Sequence, residues 1–304
     1  MKPEILPPNV LHHFYAGGER IARLRGLTLE SDHMPEEWLG AVNATFDGTR
    51  GLSRLQNGTL VRDAIAANRE AWLGDREDPG LLVKLLDAGQ RLPVHFHPGR
   101  EFARRALDSP YGKTEAWLIV EAEPDAVIWV GWSRDVELHE VRGWMSDQDA
   151  AAMLATMHEL PVAAGDAIYV PAGTAHAIGA GILMVELQEP TDFSVLLEWE
   201  GFDLREDDGH LNLGWDRALE ALDLKAAPPP TTTLPPEAET FFRAEWLDGG
   251  SSLDPGFSIV VGLEGSGMLA GIPFGRGTVA LVPYGAGTVE LRGDVRVLRA
   301  SPGS

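Results

Sequence analysis

Short apolar segments bounded by glycine or proline occupy much of this chain. Each is seven or eight residues long and rich in β-branched or aromatic residues, which is typical of β-strands. The chain also has 34 glycines and 21 prolines, which supply turns between such strands. The pattern predicts an all-β sandwich or barrel with helical insertions. The eight clearest segments are EAWLIVEA, AVIWVGW, DAIYVPAG, ILMVELQ, SVLLEWE, SIVVGLEG, GTVALVP and GTVELRG.

Three segments have helical spacing of their apolar residues instead. The first covers 59–73, where Thr59 is a predicted N-cap and a glycine follows the last residue. The second covers 100–107. The third covers 147–159, with Ser146 as its predicted N-cap.

A proline-rich stretch divides the chain. Residues 226–237 read AAPPPTTTLPPE, and five prolines in twelve residues exclude a helix or a central strand. We therefore predict a domain over 1–225, a linker over 226–237 and a C-terminal piece over 238–304. That piece is small for independent stability, so we expect it to pack on the first domain.

A repeat relates the two sides of this linker. The segment GDAIYVPAGTAH starts at Gly165, and GTVALVPYGAGT starts at Gly277, 112 residues later. Both place a proline six residues and a glycine eight residues after the first glycine. Position eleven is His176 in the first copy and Thr288 in the second. The same strand–turn–strand unit is therefore predicted twice, with a histidine in the first copy alone.

The bulk composition excludes several classes of partner. The formal net charge is −21, which repels nucleic acid and anionic membranes. No apolar run is long enough to span a membrane, and the first residues lack the features of a secretory signal. The chain has no cysteine, which excludes thiolate chemistry and is consistent with a reducing compartment. We expect a cytoplasmic protein with a small-molecule substrate.

Two histidines in the stretch LPVHFHPGRE point to a metal site. Residues i and i+2 of a strand share one face, so His95 and His97 project together. A sharp turn in PAGTAH would direct His176 towards them from another strand. Three neutral imidazoles are suited to zinc, iron, nickel or copper, and a carboxylate would complete the set. Glu101 and Glu115 are both candidates; Glu115 is favoured because it opens an apolar strand, whereas Glu101 falls in a predicted helix among arginines.

The same region has an excess of positive charge. Between residues 91 and 113, four arginines and Lys113 stand against Glu101 and Asp108. This is either a solvated helix face or a local attractor for an anionic substrate.

The motifs resemble those of a known family. PVHFHP, a following glutamate and GDAIYVPAGTAHAI are similar to the two motifs of metal-binding cupins. The stretches LLVKLLDAGQRLPVHFHP, GKTEAWLIVEAEP and GDAIYVPAGTAHAIGAGILMVELQEPTD more closely resemble type I phosphomannose isomerases. The resemblance implies two cupin (jelly-roll) halves with helical insertions. Because the repeat has Thr288 in place of histidine, we expect the smaller, degenerate C-terminal half to be metal-free. It implies one divalent metal, usually zinc, at His95, His97, Glu115 and His176, with Lys113 in the active site.

The resemblance also implies a reaction. It is the metal-dependent isomerisation of mannose 6-phosphate and fructose 6-phosphate, an aldose–ketose conversion through an enediol. Such a reaction needs a base, an acid and a group that stabilises an oxyanion. Lys113 is the predicted cation or proton donor, and Glu101 is a candidate for moving protons.

Two positions depart from the family pattern. His95 stands where glutamine is usual, and Leu196 stands where an active-site arginine is expected. Two alternatives therefore remain open. One is another cupin enzyme, either an isomerase of a free sugar or an iron dioxygenase. The other is a non-catalytic sugar-binding cupin.

Overall fold

The structure is a computed structural model that describes all 304 residues and contains eighteen strands. The strands that precede the proline-rich stretch are β1 Glu4–Ile5, β2 Val10–Leu11, β3 Glu36–Leu39, β4 Leu82–Ala88, β5 His95–Phe96, β6 Glu115–Ala122, β7 Val127–Trp132, β8 Met157–Pro161, β9 Ala167–Val170, β10 His176–Ile178, β11 Ile182–Gln188 and β12 Val195–Leu196. The strands that follow it are β13 Phe242–Asp248, β14 Ser252–Leu253, β15 Ser258–Leu269, β16 Ile272–Gly275, β17 Val279–Val282 and β18 Val289–Pro302.

The helices are short insertions between these strands. They are α1 Glu19–Arg25, α2 Val61–Ala67, α3 Arg69–Leu73, α4 Arg100–Ala106, α5 Leu138–Asp147, α6 Ala150–Ala155 and α7 Trp215–Ala218. Short 3-10 helices cover Glu206–Gly209, Leu219–Ala221, Pro236–Thr240 and Tyr284–Ala286. No helix is long and apolar enough to cross a membrane. The predicted class, an all-β fold with helical insertions, is confirmed, and the sheets are antiparallel.

Three antiparallel sheets form the molecule. The six-stranded sheet has the order β2-β3-β4-β11-β6-β9, and the five-stranded sheet has the order β12-β5-β10-β7-β8. The seven-stranded sheet contains β1-β17-β15-β18-β13, with β14 and β16 paired to its long strands.

The six-stranded sheet carries mainly apolar residues on both faces and lies between the other two sheets. Every residue of β4 and β11 is buried. Successive side chains point to opposite faces. One face carries Leu86 and Met184 into a core shared with the five-stranded sheet. The other carries Leu85 and Val185 into a core shared with the seven-stranded sheet.

The C-terminal piece packs on the rest of the chain through this second core. Phe242, Ile259 and Leu298 are buried against the six-stranded sheet. The N-terminal strand β1 also belongs to the seven-stranded sheet, where Glu4 pairs with Leu281. No sequence pattern indicated that pairing.

The proline-rich stretch runs along the surface of the first domain. Residues 226–235 contain no helix or strand. The backbone N–H of Ala167 donates to the carbonyl of Thr232 at 3.0 Å, so this segment follows the edge strand β9. The boundaries at 225 and 238 stay predictions.

Several predicted elements have different limits. The helix over 59–73 begins at Val61 and is broken at Asn68, whose φ of −153° and ψ of 62° are not helical. The prediction of one helix over 147–159 was wrong at both its start and its end. Gln148 adopts a left-handed conformation that ends α5, Asp149 caps α6, and β8 begins at Met157. The helix over 100–107 is confirmed apart from its last residue.

The two copies of the repeat contain strands at matching positions. In the first copy, β9 occupies the third to sixth residues, and in the second copy β17 does. Both continue through a proline-containing turn. His176 then begins β10, whereas Thr288 directly precedes β18.

Candidate metal centre

Adjacent strands bring the three predicted histidines together. His95 lies in β5 and is paired directly opposite His176 of β10. His97 follows β5 by one residue and turns back towards the same side. All three side chains are buried, and their ligand atoms lie within 4.8 Å of one another.

Hydrogen bonds determine which ring nitrogen of each histidine faces the centre. Each Nδ1 lies 2.8 Å from a backbone carbonyl oxygen. Since a carbonyl oxygen only accepts, Nδ1 carries the proton and Nε2 keeps its lone pair. The acceptors for His95, His97 and His176 are Pro93, Phe193 and Thr174 respectively. Three imidazole lone pairs therefore point into one site.

Burial keeps these imidazoles neutral. Removal from water lowers the pKa of His95, His97 and His176 well below the usual value, and neighbouring positive charge lowers each further. Neutral imidazole is the form that binds a metal ion.

Glu115 supplies an oxygen beside these nitrogens. Its Oε2 lies 3.1 Å from Nε2 of His97, and its Oε1 lies 3.4 Å from Nε2 of His176. The indole N–H of Trp117 donates to Oε1 at 3.0 Å. The buried Oε2 lies 3.0 Å from the ammonium nitrogen of Lys113, which is also 2.9 Å from Nε2 of His97. Burial raises the pKa of Glu115, but the charge of Lys113, hydrogen bonds to the carboxylate and the neighbouring His95 together outweigh burial, so the pKa is lowered overall.

The arrangement fits a divalent metal ion. Nε2 of His95 and Nε2 of His176 are only 2.9 Å apart, and both carry lone pairs. Two such lone pairs repel unless a cation or a proton lies between them. Three imidazole nitrogens and one carboxylate form a donor set that zinc accepts. The centre thus unites His95, His97, His176 and Glu115.

A cavity of about 280 Å³ opens beside this centre. At its buried end, Glu186 lies between two lysines. Lys113 Nζ is 3.0 Å from Glu115 Oε2 and 3.7 Å from Glu186 Oε1. Lys84 Nζ is 3.6 Å from Glu186 Oε2 and 3.2 Å from Glu36 Oε2.

Lys84 and Glu186 were missed by sequence reasoning. They lie directly opposite each other on neighbouring strands β4 and β11. Burial raises the pKa of Glu186 to about 7, because the energy lost on leaving water exceeds the effect of the lysines. Burial would lower the pKa of Lys84, but Glu36 and Glu186 together raise it. The signal was available, because each is a charged residue within a buried strand whose residues are mostly apolar.

The structure does not bring Glu101 to the site. It is exposed on α4, which directs Phe102 and Ala103 inward instead. Neighbouring positions of a helix point in different directions, so burial of Phe102 and Ala103 leaves Glu101 facing solvent. The proton-moving role considered for Glu101 therefore has no geometric support.

The basic stretch contributes one residue, Lys113, to the cavity. Arg91 pairs with Glu198, and Arg100 Nε lies 2.5 Å from Glu189 Oε1. The remaining arginines, Arg104 and Arg105, are exposed. These arginines therefore lie in ion pairs or on the surface, and they do not form an attractor for an anionic substrate.

Leu196 lines the cavity next to the metal centre. It lies in β12, where it is paired opposite His95, and its side chain is buried. An apolar residue therefore occupies the position at which the family resemblance implies an arginine.

Comparison with known proteins identifies relatives along most of the chain. No protein-family model matches it. The mannose-6-phosphate isomerase ManA of Bacillus subtilis is 31% identical over 277 residues, which cover 83% of each chain. The mannose-6-phosphate isomerase of Streptococcus mutans is 30% identical over 207 residues, which cover 66% of this chain and 61% of that one.

Solved structures share the fold over the whole length. A crystal structure of the mannose 6-phosphate isomerase from Bacillus subtilis covers 99% of both chains with a TM-score of 0.80 and 22% identity. A putative mannosephosphate isomerase from Archaeoglobus fulgidus covers 100% of this chain and 99% of its own, with a TM-score of 0.80 and 19% identity.

Proposed function

Because the chain belongs to the mannose-6-phosphate isomerase family, we propose that it is a metal-dependent aldose–ketose isomerase that interconverts mannose 6-phosphate and fructose 6-phosphate. One observation carries the proposal. The Nε2 atoms of three histidines and Oε2 of Glu115 converge beside a cavity that also holds Lys113 and Glu186. A binding protein would not need two buried lysines and a buried carboxylate beside a metal site.

The residues that would hold the metal are His95, His97, Glu115 and His176. We propose zinc, because neutral imidazoles with one carboxylate are among its usual ligands. When bound, a divalent ion stabilises negative charge on a substrate oxygen. The Nδ1 hydrogen bonds support the histidine side of this centre, because they fix the ring orientations.

Glu186 is the proposed base. Its buried Oε2 has no hydrogen-bond partner, and both neighbouring lysines hold the carboxylate in place. In the open-chain aldose, Glu186 takes the proton from C2, and the C–H electron pair becomes the C1–C2 double bond of an enediol. The carboxyl group then returns this proton to C1. Glu101 takes no part.

Lys113 is the proposed shuttle for the oxygen-bound proton. Its ammonium group donates a proton to O1 as the C1 carbonyl opens, and it regains one from O2 as the ketose carbonyl forms. Atoms therefore balance, because one proton moves from C2 to C1 and another from O2 to O1. Lys84 does not touch these atoms in the proposal; it positions Glu186.

We also propose that the chain consists of two cupin halves, with residues 1–225 and 238–304 on either side of the linker. The matching offsets of β9 and β17 within the repeat support this division. Only the first half would bind metal, because Thr288 replaces histidine and residues 238–304 contain no histidine. The proposed partner is a small sugar phosphate rather than nucleic acid or membrane, and the cytoplasmic location stays a prediction.

Metal analysis joined to a coupled isomerase assay tests the function. We expect about one metal equivalent per chain, loss of turnover with a chelator and recovery with zinc. His176→Ala should lose metal and activity, whereas His12→Ala, an exposed control, should keep both. Glu186→Gln should keep the metal but lower kcat by about 10²–10⁴. Fully metal-loaded protein that isomerises neither sugar nor sugar phosphate would refute the proposal.

A further inference from the structure

An aromatic side chain stands exposed at the mouth of the cavity. Phe46 is 41% exposed, and it lines the cavity. The other large apolar residues that are exposed lie outside the cavity; they are Met1, Leu138, Met268 and Tyr284. A single exposed apolar residue is ordinary on a protein surface. What distinguishes Phe46 is its location at the entrance of a binding cavity and the way its loop is held there.

The loop that carries Phe46 is fixed by its own hydrogen bonds. Asp47 Oδ1 accepts a hydrogen bond from the hydroxyl of Thr45 at 2.6 Å and another from the backbone N–H of Thr49 at 3.0 Å. The backbone N–H of Thr45 donates to the carbonyl of Arg50 at 3.0 Å, which closes the loop. These bonds define the backbone on both sides of residue 46, so the ring keeps its place without being packed into a core.

Two contacts fasten this loop to a segment beside the metal centre. The backbone N–H of Phe46 donates to Oδ2 of Asp192 at 3.1 Å. The Phe46 ring packs edge-on against the ring of Phe193, with 6.0 Å between the ring centroids and 79° between the planes. The Phe193 carbonyl also accepts the Nδ1 proton of His97 at 2.8 Å. The loop and a proposed metal ligand therefore rest on the same two-residue segment.

The proposed reaction places the sugar chain beside this ring. C1 and C2 must reach the proposed metal ligands and Glu186, because the transferred proton moves between these carbons. Glu186 and Lys113 lie at the buried end of the cavity, where their side chains are at most 5% exposed. The remaining carbons then extend towards the exposed end, which Phe46 lines together with Arg50 and Asp208.

A phenyl ring is a suitable surface for this part of a sugar. The face of the ring is electron-rich, and the C–H bonds of a sugar carry a small positive charge because each carbon bears an oxygen. Contact also removes apolar surface of both partners from water. Covering the exposed part of one phenyl ring is worth about 10-fold in affinity. Such a contact adds to the recognition of a phosphate group and does not replace it.

We propose that Phe46 is a substrate-contacting residue whose ring packs against the C–H groups of the bound sugar chain. The inference rests on the proposed isomerase activity and adds a residue that determines how tightly the substrate is held. The ring is remote from C1 and C2, so it contacts the substrate and the transition state equally. Loss of the ring is therefore expected to raise KM and to leave kcat nearly unchanged.

Kinetics of Phe46→Ala with mannose 6-phosphate test the contact in the zinc-loaded full chain. We expect KM to rise about 10-fold and kcat to change by less than threefold, whereas Phe46→Trp should keep KM within threefold because it retains an aromatic face. Leu138→Ala changes an exposed apolar residue outside the cavity and should alter neither constant. An unchanged KM in Phe46→Ala would overturn the inference and leave the isomerase proposal intact. An inactive wild-type protein would instead overturn the isomerase proposal.

Zinc affinity separates substrate contact from a structural role. If the ring served only to brace Phe193, its removal would disturb His97 and weaken metal binding. We therefore expect Phe46→Ala to bind zinc with a Kd within about threefold of the wild-type value. A Kd raised more than 10-fold, together with a KM that excess zinc restores, would show that Phe46 supports the metal centre and would overturn the inference.

Thiol protection reports the contact without turnover. The chain has no cysteine, so Phe46→Cys places a single thiol at the cavity mouth. Saturating mannitol 1-phosphate, an open-chain analogue that cannot isomerise, should slow alkylation of this thiol by iodoacetamide at least fivefold. The thiol of Leu138→Cys should react at the same rate with and without the analogue. Equal rates at residue 46, in protein that calorimetry shows to be saturated, would refute the inference even if no activity were found.

Discussion

The C-terminal piece should be required for folding. The core that it shares with the six-stranded sheet indicates how much stability its removal would cost. Seven large apolar side chains of the six-stranded sheet face the seven-stranded sheet: Leu39, Val83, Leu85, Leu118, Leu183, Val185 and Leu187. Burial of each contributes about 1.5–3 kcal/mol, so exposing them all costs roughly 10–20 kcal/mol as an upper bound. A whole domain is typically stable by about 5–15 kcal/mol. A fragment of residues 1–226 should therefore fail to hold the native fold, although it encodes every proposed metal ligand.

Purification of this fragment beside the full chain provides the assay. We expect aggregation or a loss of cooperative urea unfolding, together with loss of stoichiometric metal binding. The full-length variant Phe242→Ala gives a graded version of the same test, because Phe242 is fully buried in the shared core. Phe242→Ala should lower the free energy of unfolding by about 3–5 kcal/mol. Phe241 is its half-buried neighbour, and Phe241→Ala should lower the free energy of unfolding by less than half as much. A fragment as stable and metal-competent as the full chain would refute the reasoning.

Two further predictions concern buried charge. Arg25 and Glu37 form a buried ion pair at 2.9 Å. Arg25→Met leaves the charge of Glu37 buried without a partner, so it should lower the free energy of urea unfolding by about 3–5 kcal/mol, and adding Glu37→Gln should recover part of that loss. A loss below about 1 kcal/mol for Arg25→Met alone would contradict this. In metal-free protein, His95, His97 and His176 have pKa values lowered by burial, so the unfolded chain binds more protons below about pH 6.5 and stability is lost as the pH falls through that value. Between pH 7 and 5.5 the free energy of unfolding should fall by at most about 4 kcal/mol. Thermal unfolding should show this fall in chelator-treated protein and a smaller one in zinc-loaded protein. An unchanged Tm in the metal-free protein would contradict the neutral, buried state of the three histidines.

Local pattern was sufficient for eight of the eighteen strands and for the proposed metal ligands. The segments that became β6 and β11 were predicted at their observed limits, because apolar residues bounded by turn residues have few alternatives. The two-residue period put His95 and His97 together, and the turn after β9 delivered His176. These features depend on neighbours in sequence.

Long-range packing decided the rest of the site and the layer order. Lys84 and Glu186 became partners because β4 and β11 pair in one register, and a shift of one residue would turn either out of the cavity. Glu101 and Glu115 were both candidate carboxylates in sequence, with Glu115 favoured, and the structure separates them because burial of Phe102 turns Glu101 outward while strand pairing turns Glu115 inward. The pairing of β1 with β17 joins residues nearly the whole chain apart. Period and composition determine which face of an element is apolar, whereas only the tertiary structure determines which other element covers that face.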